Sequence, residues 1–171
     1  MQVLTRVARS EGPEVRPVSA WRIALSMALS LAGLGLSIYL TVAHFVGAHI
    51  LECAGNGVID CTKVTTSPQS YVFGVPVAVL GLGYYVVVTA INTPWAWRSA
   101  DRRIHQARLA LSILGIGFVL YLISAELLII KAICIYCTGV HIVTFALLVL
   151  VMSTVPTMLG WGQEPDRARS S

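Results

Sequence analysis

Long apolar runs broken by short polar segments dominate the hydropathy pattern of this chain. The first run, Ile23 to Ala43 (IALSMALSLAGLGLSIYLTVA), carries no charge. The second, Val72 to Ile91 (VFGVPVAVLGLGYYVVVTAI), is equally uncharged. The third, Leu109 to Ile130, holds one acid, Glu126, and the fourth starts around Cys134 and Cys137 and continues to about Gly160. A helix needs about 20 apolar residues to cross about 30 Å of hydrocarbon. The pattern therefore predicts four spanning helices. The first run exceeds the roughly 7–15 residues of a signal-peptide core and no A-x-A cleavage site follows it, so it reads as a retained helix.

Composition strengthens that reading. Of 171 residues, 56% are hydrophobic and only 12% charged, against about 25% charged in a soluble domain. Too few charges remain to cover a water-facing surface, so a bilayer is the expected solvent. The net charge of +4 does not point to nucleic acid, because the basic residues sit in short clusters between the apolar runs. Arg6, Arg9, Arg16 and Arg22 precede the first helix, and Arg98, Arg102, Arg103 and Arg108 separate the second from the third. Arg167 and Arg169 follow the fourth. Ten of the 12 basic residues thus share one side, and the positive-inside rule puts that side and both termini in the cytoplasm. Trp21, Trp95, Trp97 and Trp161 fall at the same boundaries, as an aromatic belt does.

The predicted fold is an all-α integral membrane protein, a four-transmembrane-helix bundle with an extracytoplasmic loop between helices one and two. Residues 1–20 form an N-terminal cytoplasmic tail, residues 21–160 the membrane domain and residues 161–171 a C-terminal cytoplasmic tail. The Arg, Ser and Pro content of both tails predicts disorder.

This orientation places all four cysteines on one face. Cys53 and Cys61 lie in the loop between helices one and two, and Cys134 and Cys137 follow the short connection between helices three and four. Both sites are extracytoplasmic, where disulfide chemistry persists. Gly55, Asn56 and Gly57 make the first pair's loop turn-rich and able to move. The second pair opens a helix, where unsatisfied N–H groups and the positive end of the dipole favour thiolate. Lys131 adds positive potential nearby. Three readings compete: two structural disulfides in a non-enzymatic membrane protein, a four-thiolate metal site, and an electron relay. The seven-residue gap of the first pair and the oxidising side count against zinc. A structural staple has no need of Cys-x-x-Cys at a helix start. The relay is favoured: electrons pass by thiol–disulfide exchange from a partner dithiol to the loop pair and then to the helix pair. A lipid-soluble quinone is the chemically obvious final acceptor.

The segments CAGNGVIDC, TKVTTS and FGVPVAVLG, followed by a late CIYC in the last helix, resemble the vitamin K epoxide reductase family in its bacterial form. The resemblance runs from about Trp21 to Pro156. Its features are the seven-residue gap, a Ser six positions after the second loop cysteine, and Cys-x-x-Cys at the start of helix four. The DsbB type of quinone-linked protein carries its two pairs in the reverse order, which argues against it. The resemblance implies a four-helix bundle that holds a quinone, menaquinone or ubiquinone, near the outer face of a bacterial inner membrane. It implies that Cys137 hands electrons to the quinone, that Cys134 exchanges with the loop through a transient Cys61–Cys134 disulfide, and that Cys53 meets the external partner. Ser67 matches the family's loop serine. Where the animal enzymes place Asn and Tyr against the quinone oxygens, this chain has Ser70, three residues before Phe73, and His141. Plain quinone reduction, rather than epoxide reduction, is the implied chemistry. The implied partner is a separate thioredoxin-fold, DsbA-like disulfide oxidoreductase.

The candidate quinone-binding residues are thus Ser67, Ser70, Phe73, Glu126 and His141. His141 lies one helical turn past Cys137; it is either a satisfied core histidine or a hydrogen-bonding partner for a quinone carbonyl. Glu126 is either a functional acid, such as a proton carrier, or a side chain snorkelling to the interface. His44 and His49 read as interfacial and His105 as solvated. Gly33, Ser37 and Thr41 recur every four residues, which predicts close helix packing. Pro76 fits the first turns of helix two.

Overall fold

A computed structural model of the chain describes residues 18–51, 53, 58–99 and 101–159. Most of both predicted tails lies outside the described residues, as do Gly55, Asn56 and Gly57. The elements are α1 (Ala20–Val46), α2 (Cys61–Thr65), β1 (Tyr71–Val72), β2 (Val75–Pro76), α3 (Val77–Ile91), α4 (Pro94–Arg98), α5 (Arg102–Ser124) and α6 (Ile135–Leu159). A π-helical turn, Ala125–Ile130, continues α5. Three helical segments among the described residues, Ala20–Val46, Arg102–Ile130 and Ile135–Thr154, are long and apolar enough to cross a membrane. The chain is a mainly helical membrane protein.

The second apolar run departs from expectation. Its first residues form a hairpin, with Tyr71 opposite Pro76 and Val72 opposite Val75. The turn needs Phe73 at φ 52° and Gly74 at φ 79°, values a helix does not contain. Pro76 is then the N-cap of α3 rather than a residue within it. What remains helical is 15 residues, about 22 Å at about 1.5 Å per residue. Apolar composition concealed the turn, because valine and phenylalanine serve a short strand as readily as a buried helix.

Helix α1 packs against both α3 and α6, and α5 packs against α6. The buried face of α1 carries Ser26, Ser30, Gly33, Ser37, Leu40 and Ala43 at three- or four-residue spacing, and all but Leu40 are small residues that let helices approach closely. A Cβ at Gly33 would overlap the Tyr85 ring. That ring is anchored across the bundle, its hydroxyl 2.8 Å from Thr144 Oγ1 and donating to the Val140 carbonyl at 3.2 Å.

Candidate functional site

The loop that carries Cys61 is held against the connection that precedes α6. Ile59 and Ile133 form a parallel β-bridge. Ile133 N–H donates to the Val58 carbonyl at 2.9 Å, and Asp60 N–H donates to the Ile133 carbonyl at 3.1 Å. Asp60 then caps α2 by accepting from Lys63 N–H at 2.9 Å, the usual work of an N-terminal aspartate. Cys61, the first residue of α2, is thereby fixed rather than left on a free loop. Its side chain is 1% exposed and is joined to Cys53 by a disulfide.

Cys61 and Cys134 belong to one buried cluster with Leu40, Ala43, Leu51, Val64, Ile130 and Ala132, and Cys53 and Cys137 pack against it. All four sulfurs therefore gather at one end of the bundle, as their positions between the apolar runs predict. What position in sequence does not reveal is that the two pairs share one buried cluster, with the Cys61 segment held there by the Ile59–Ile133 bridge.

Cys134 immediately precedes α6, and both it and Cys137 are free thiols. The Cys137 N–H points at Cys134 Sγ, 3.4 Å away, as it would at a capping serine oxygen. The Cys134 thiol is lowered to about 7. The hydrogen bond from the Cys137 side chain is the largest cause, and the backbone N–H groups of Cys137 and Tyr136 add to it against the opposing effect of burial. Cys134 is therefore the more readily ionised thiol of the pair, suited to attack and to departure in disulfide exchange.

Cys137 faces elsewhere. With Ser67, Ser70, Glu126 and His141 it lines a cavity of about 330 Å³. The walls come from α1, α2, α3, α5 and α6 and are mostly apolar. Four of the five candidate binding residues thus meet at this cavity. Phe73 does not: it stands at the tip of the hairpin, fully exposed. The serine hydroxyls are used locally, Ser67 donating to the Val64 carbonyl at 2.8 Å and Ser70 to the Ser67 carbonyl at 2.6 Å. His141 and Glu126 are 6% and 5% exposed, so Glu126 does not snorkel out.

The sequence did not single out Tyr84, Tyr85, Thr144 or Val64, which also line the cavity. His44, read as interfacial, lines it too, with Nε2 3.1 Å from the Tyr71 hydroxyl. Two adjacent tyrosines in an otherwise aliphatic helix were the available signal. Such a site can exchange disulfides on its buried side and hold a flat apolar molecule against a thiol on its cavity side.

Comparison with known proteins supplies the class. Individually curated proteins gave no match. A model of the vitamin K epoxide reductase family matches residues 24–152, a stretch that includes all four cysteines and every cavity residue named above. Members of that family are oxidoreductases and are generally quinone-linked. With most of its length matched, the chain belongs to the vitamin K epoxide reductase family.

Proposed function

We propose that this protein is a membrane thiol oxidase. It reoxidises a separate thioredoxin-fold, DsbA-like partner outside the cytoplasm and passes the electrons through its two cysteine pairs to a membrane quinone. The observation that carries the reading is the division of the cysteines. Cys61 and Cys134, from different pairs, share one buried cluster, while Cys137 alone among them lines the apolar cavity.

The chemistry follows from that division. A partner thiolate attacks Cys53 Sγ, Cys61 leaves, and the partner's second thiol closes its own disulfide. The loop is then a dithiol. Cys61 thiolate attacks Cys134 of an oxidised Cys134–Cys137 pair, and Cys137 leaves as thiolate. Cys53 attacks Cys61, restoring the loop disulfide and releasing Cys134, whose lowered pKa makes it a good leaving group. The observed combination, a closed Cys53–Cys61 disulfide with Cys134 and Cys137 reduced, corresponds to this point of the cycle. Cys134 and Cys137 then reform their disulfide as two electrons and two protons pass to the quinone, giving hydroquinone.

In this reading α3 and α4 together make the fourth crossing. The ten basic residues face the cytoplasm of a bacterial inner membrane, and the cysteines face outward. The mostly apolar walls suit a quinone ring, and Ser67, Ser70, His141 and Glu126 are the polar groups available to its oxygens.

The test is a thiol count on purified protein. Reduced partner followed by quinone should leave the partner oxidised and all four cysteines paired, with one hydroquinone formed per dithiol consumed. Thiols at Cys134 and Cys137 that ignore added quinone, beside a loop disulfide that ignores the partner, would return the protein to the structural-disulfide reading.

A further inference from the structure

One group in the cavity wall takes no part in disulfide exchange. Glu126 is 5% exposed and lies within an apolar stretch, AELLII, of Ala125–Ile130. Among the described residues its carboxyl group has no hydrogen-bonding partner. An ionisable side chain held in such a setting is costly, and an apolar residue of similar size would pack the wall better. The backbone is also arranged around it. The π-helical turn shifts the register of the helix so that Leu127, Leu128 and Ile129 face outward, 54%, 74% and 61% exposed, while Ala125, Glu126 and Ile130 are buried. The Ala132 N–H donates to the Glu126 carbonyl at 3.2 Å, and Lys131 ends the turn at φ 55°. π-Turns are uncommon and often accompany functional positions.

Glu126 shares its cavity with Cys137, and among the described residues it is the only acid lining that cavity. The other titratable groups there are His44 from α1, Tyr84 and Tyr85 from α3, and His141 from α6. We propose that Glu126 carries protons from the Cys134–Cys137 dithiol to the quinone. The fully protonated dithiol gives up one proton as Cys134 ionises and a second, from Cys137, as the disulfide closes and releases two electrons. A quinone reduced to hydroquinone takes up both protons and both electrons. As carboxylate, Glu126 accepts a thiol proton; as carboxylic acid, it gives that proton to a quinone oxygen. Two passes move both protons, and the residue ends as it began.

This inference rests on the quinone-reduction reading above, and the experiment separates the two. Thiol oxidation by a short-chain quinone would be followed in wild type, Glu126→Gln and Glu126→Asp, with quinone affinity measured on each. Infrared difference spectra of the full protein, recorded as the cysteine pair is oxidised electrochemically without quinone, give a readout independent of turnover. Glu126→Gln should slow thiol oxidation about 100-fold or more, the range of general acid–base catalysis, a far larger factor than any accompanying loss of quinone affinity. Glu126→Asp should recover most of the rate. Wild type should show a carboxyl band that changes with the redox state of the pair and is missing from Glu126→Gln. A wild-type rate in Glu126→Gln, a rate loss matched by an equal affinity loss, or a silent carboxyl region in wild type overturns the proposal alone. Wild-type thiols that never reduce quinone overturn the relay and the proposal together.

Discussion

At the end of the bundle remote from the cysteines, Trp97 Nε1 donates to Ser26 Oγ at 3.0 Å and Asn92 Nδ2 donates to Ser30 Oγ at 3.2 Å. At the cysteine end, Glu126 and His141 are buried as deeply but face a cavity. The remote end also contains Arg108, 2% exposed, with its guanidinium 3.7 Å from the centre of the Trp97 ring. Arg108 donates to the Ile91 carbonyl and lies 2.9 Å from His105 Nδ1. Of the buried side-chain atoms described there, only Asn92 Oδ1 and Arg108 Nε are unpartnered. Polar groups that satisfy one another fix the packing of α1, α3, α4 and α5. Polar groups kept beside a space are available to a ligand. Burial of a polar residue is common to both ends and does not distinguish them; where its hydrogen bonds go does.

The largest expected effect comes from the cysteine end. Cys137→Ser should abolish quinone-coupled oxidation of the partner while leaving thermal unfolding close to wild type. Turnover above background in that variant would mean that electrons leave by another route. The remote end should respond in the opposite sense. Trp97→Ala removes a nearly buried indole, 4% exposed, and with it the donor to Ser26 and the surface beneath Arg108. The cost should be about 3–5 kcal/mol of stability, as for large core truncations. The rate at which the remaining folded protein oxidises its partner should not change. Loss of activity without loss of stability in Trp97→Ala would break the contrast between the two ends.

Much of this contrast was legible in the sequence, and its limits have physical causes. Hydropathy located α1 and α6 within a few residues, because the hydrocarbon-crossing part of a helix must be apolar. It missed the start of α5, whose first turns, residues 102–108, carry three arginines and a histidine. Cys-x-x-Cys at the head of α6 was equally plain, since the motif and the helix start coincide. The hairpin at Tyr71–Pro76 was hidden by its apolar residues, although Phe73-Gly74 and Pro76 carried turn chemistry. That turn also sent Phe73 to the tip, away from the cavity. The π-turn at Ala125–Ile130 has no sequence signature, so the inward position of Glu126 could not be read from helical period. The presence of Cys61 and Cys134 in one buried cluster goes with a bridge between isoleucines 74 positions apart, Ile59 and Ile133, a pairing that no local pattern encodes. His105, expected to be solvated, instead sits against Arg108 and the Ser99 carbonyl.

The smallest effect probes the electrostatics of the cysteine end directly. Cys134 in the folded, reduced protein is lowered from its usual 9.0 to about 7. A depressed folded pKa contributes stability that is fully present above the unfolded value and is lost as pH falls toward the folded one. Cys134 should therefore contribute more stability above pH 9 than below pH 7, by at most about 3 kcal/mol, since each pKa unit is about 1.4 kcal/mol. Chemical unfolding of reduced wild type and Cys134→Ser at both pH values measures the difference, which should shrink in the variant. Far-ultraviolet thiolate absorbance should show the same titration. Cys137→Ala removes the side-chain hydrogen bond that is the largest cause of the shift, so it should move the Cys134 midpoint upward, toward an ordinary thiol. No such variant is available at the remote end, where Trp97 and its neighbours stabilise the bundle without a thiolate. A midpoint that stays near 7 in Cys137→Ala would assign the thiolate to the backbone N–H groups at the start of α6 and remove the side chain's part in it.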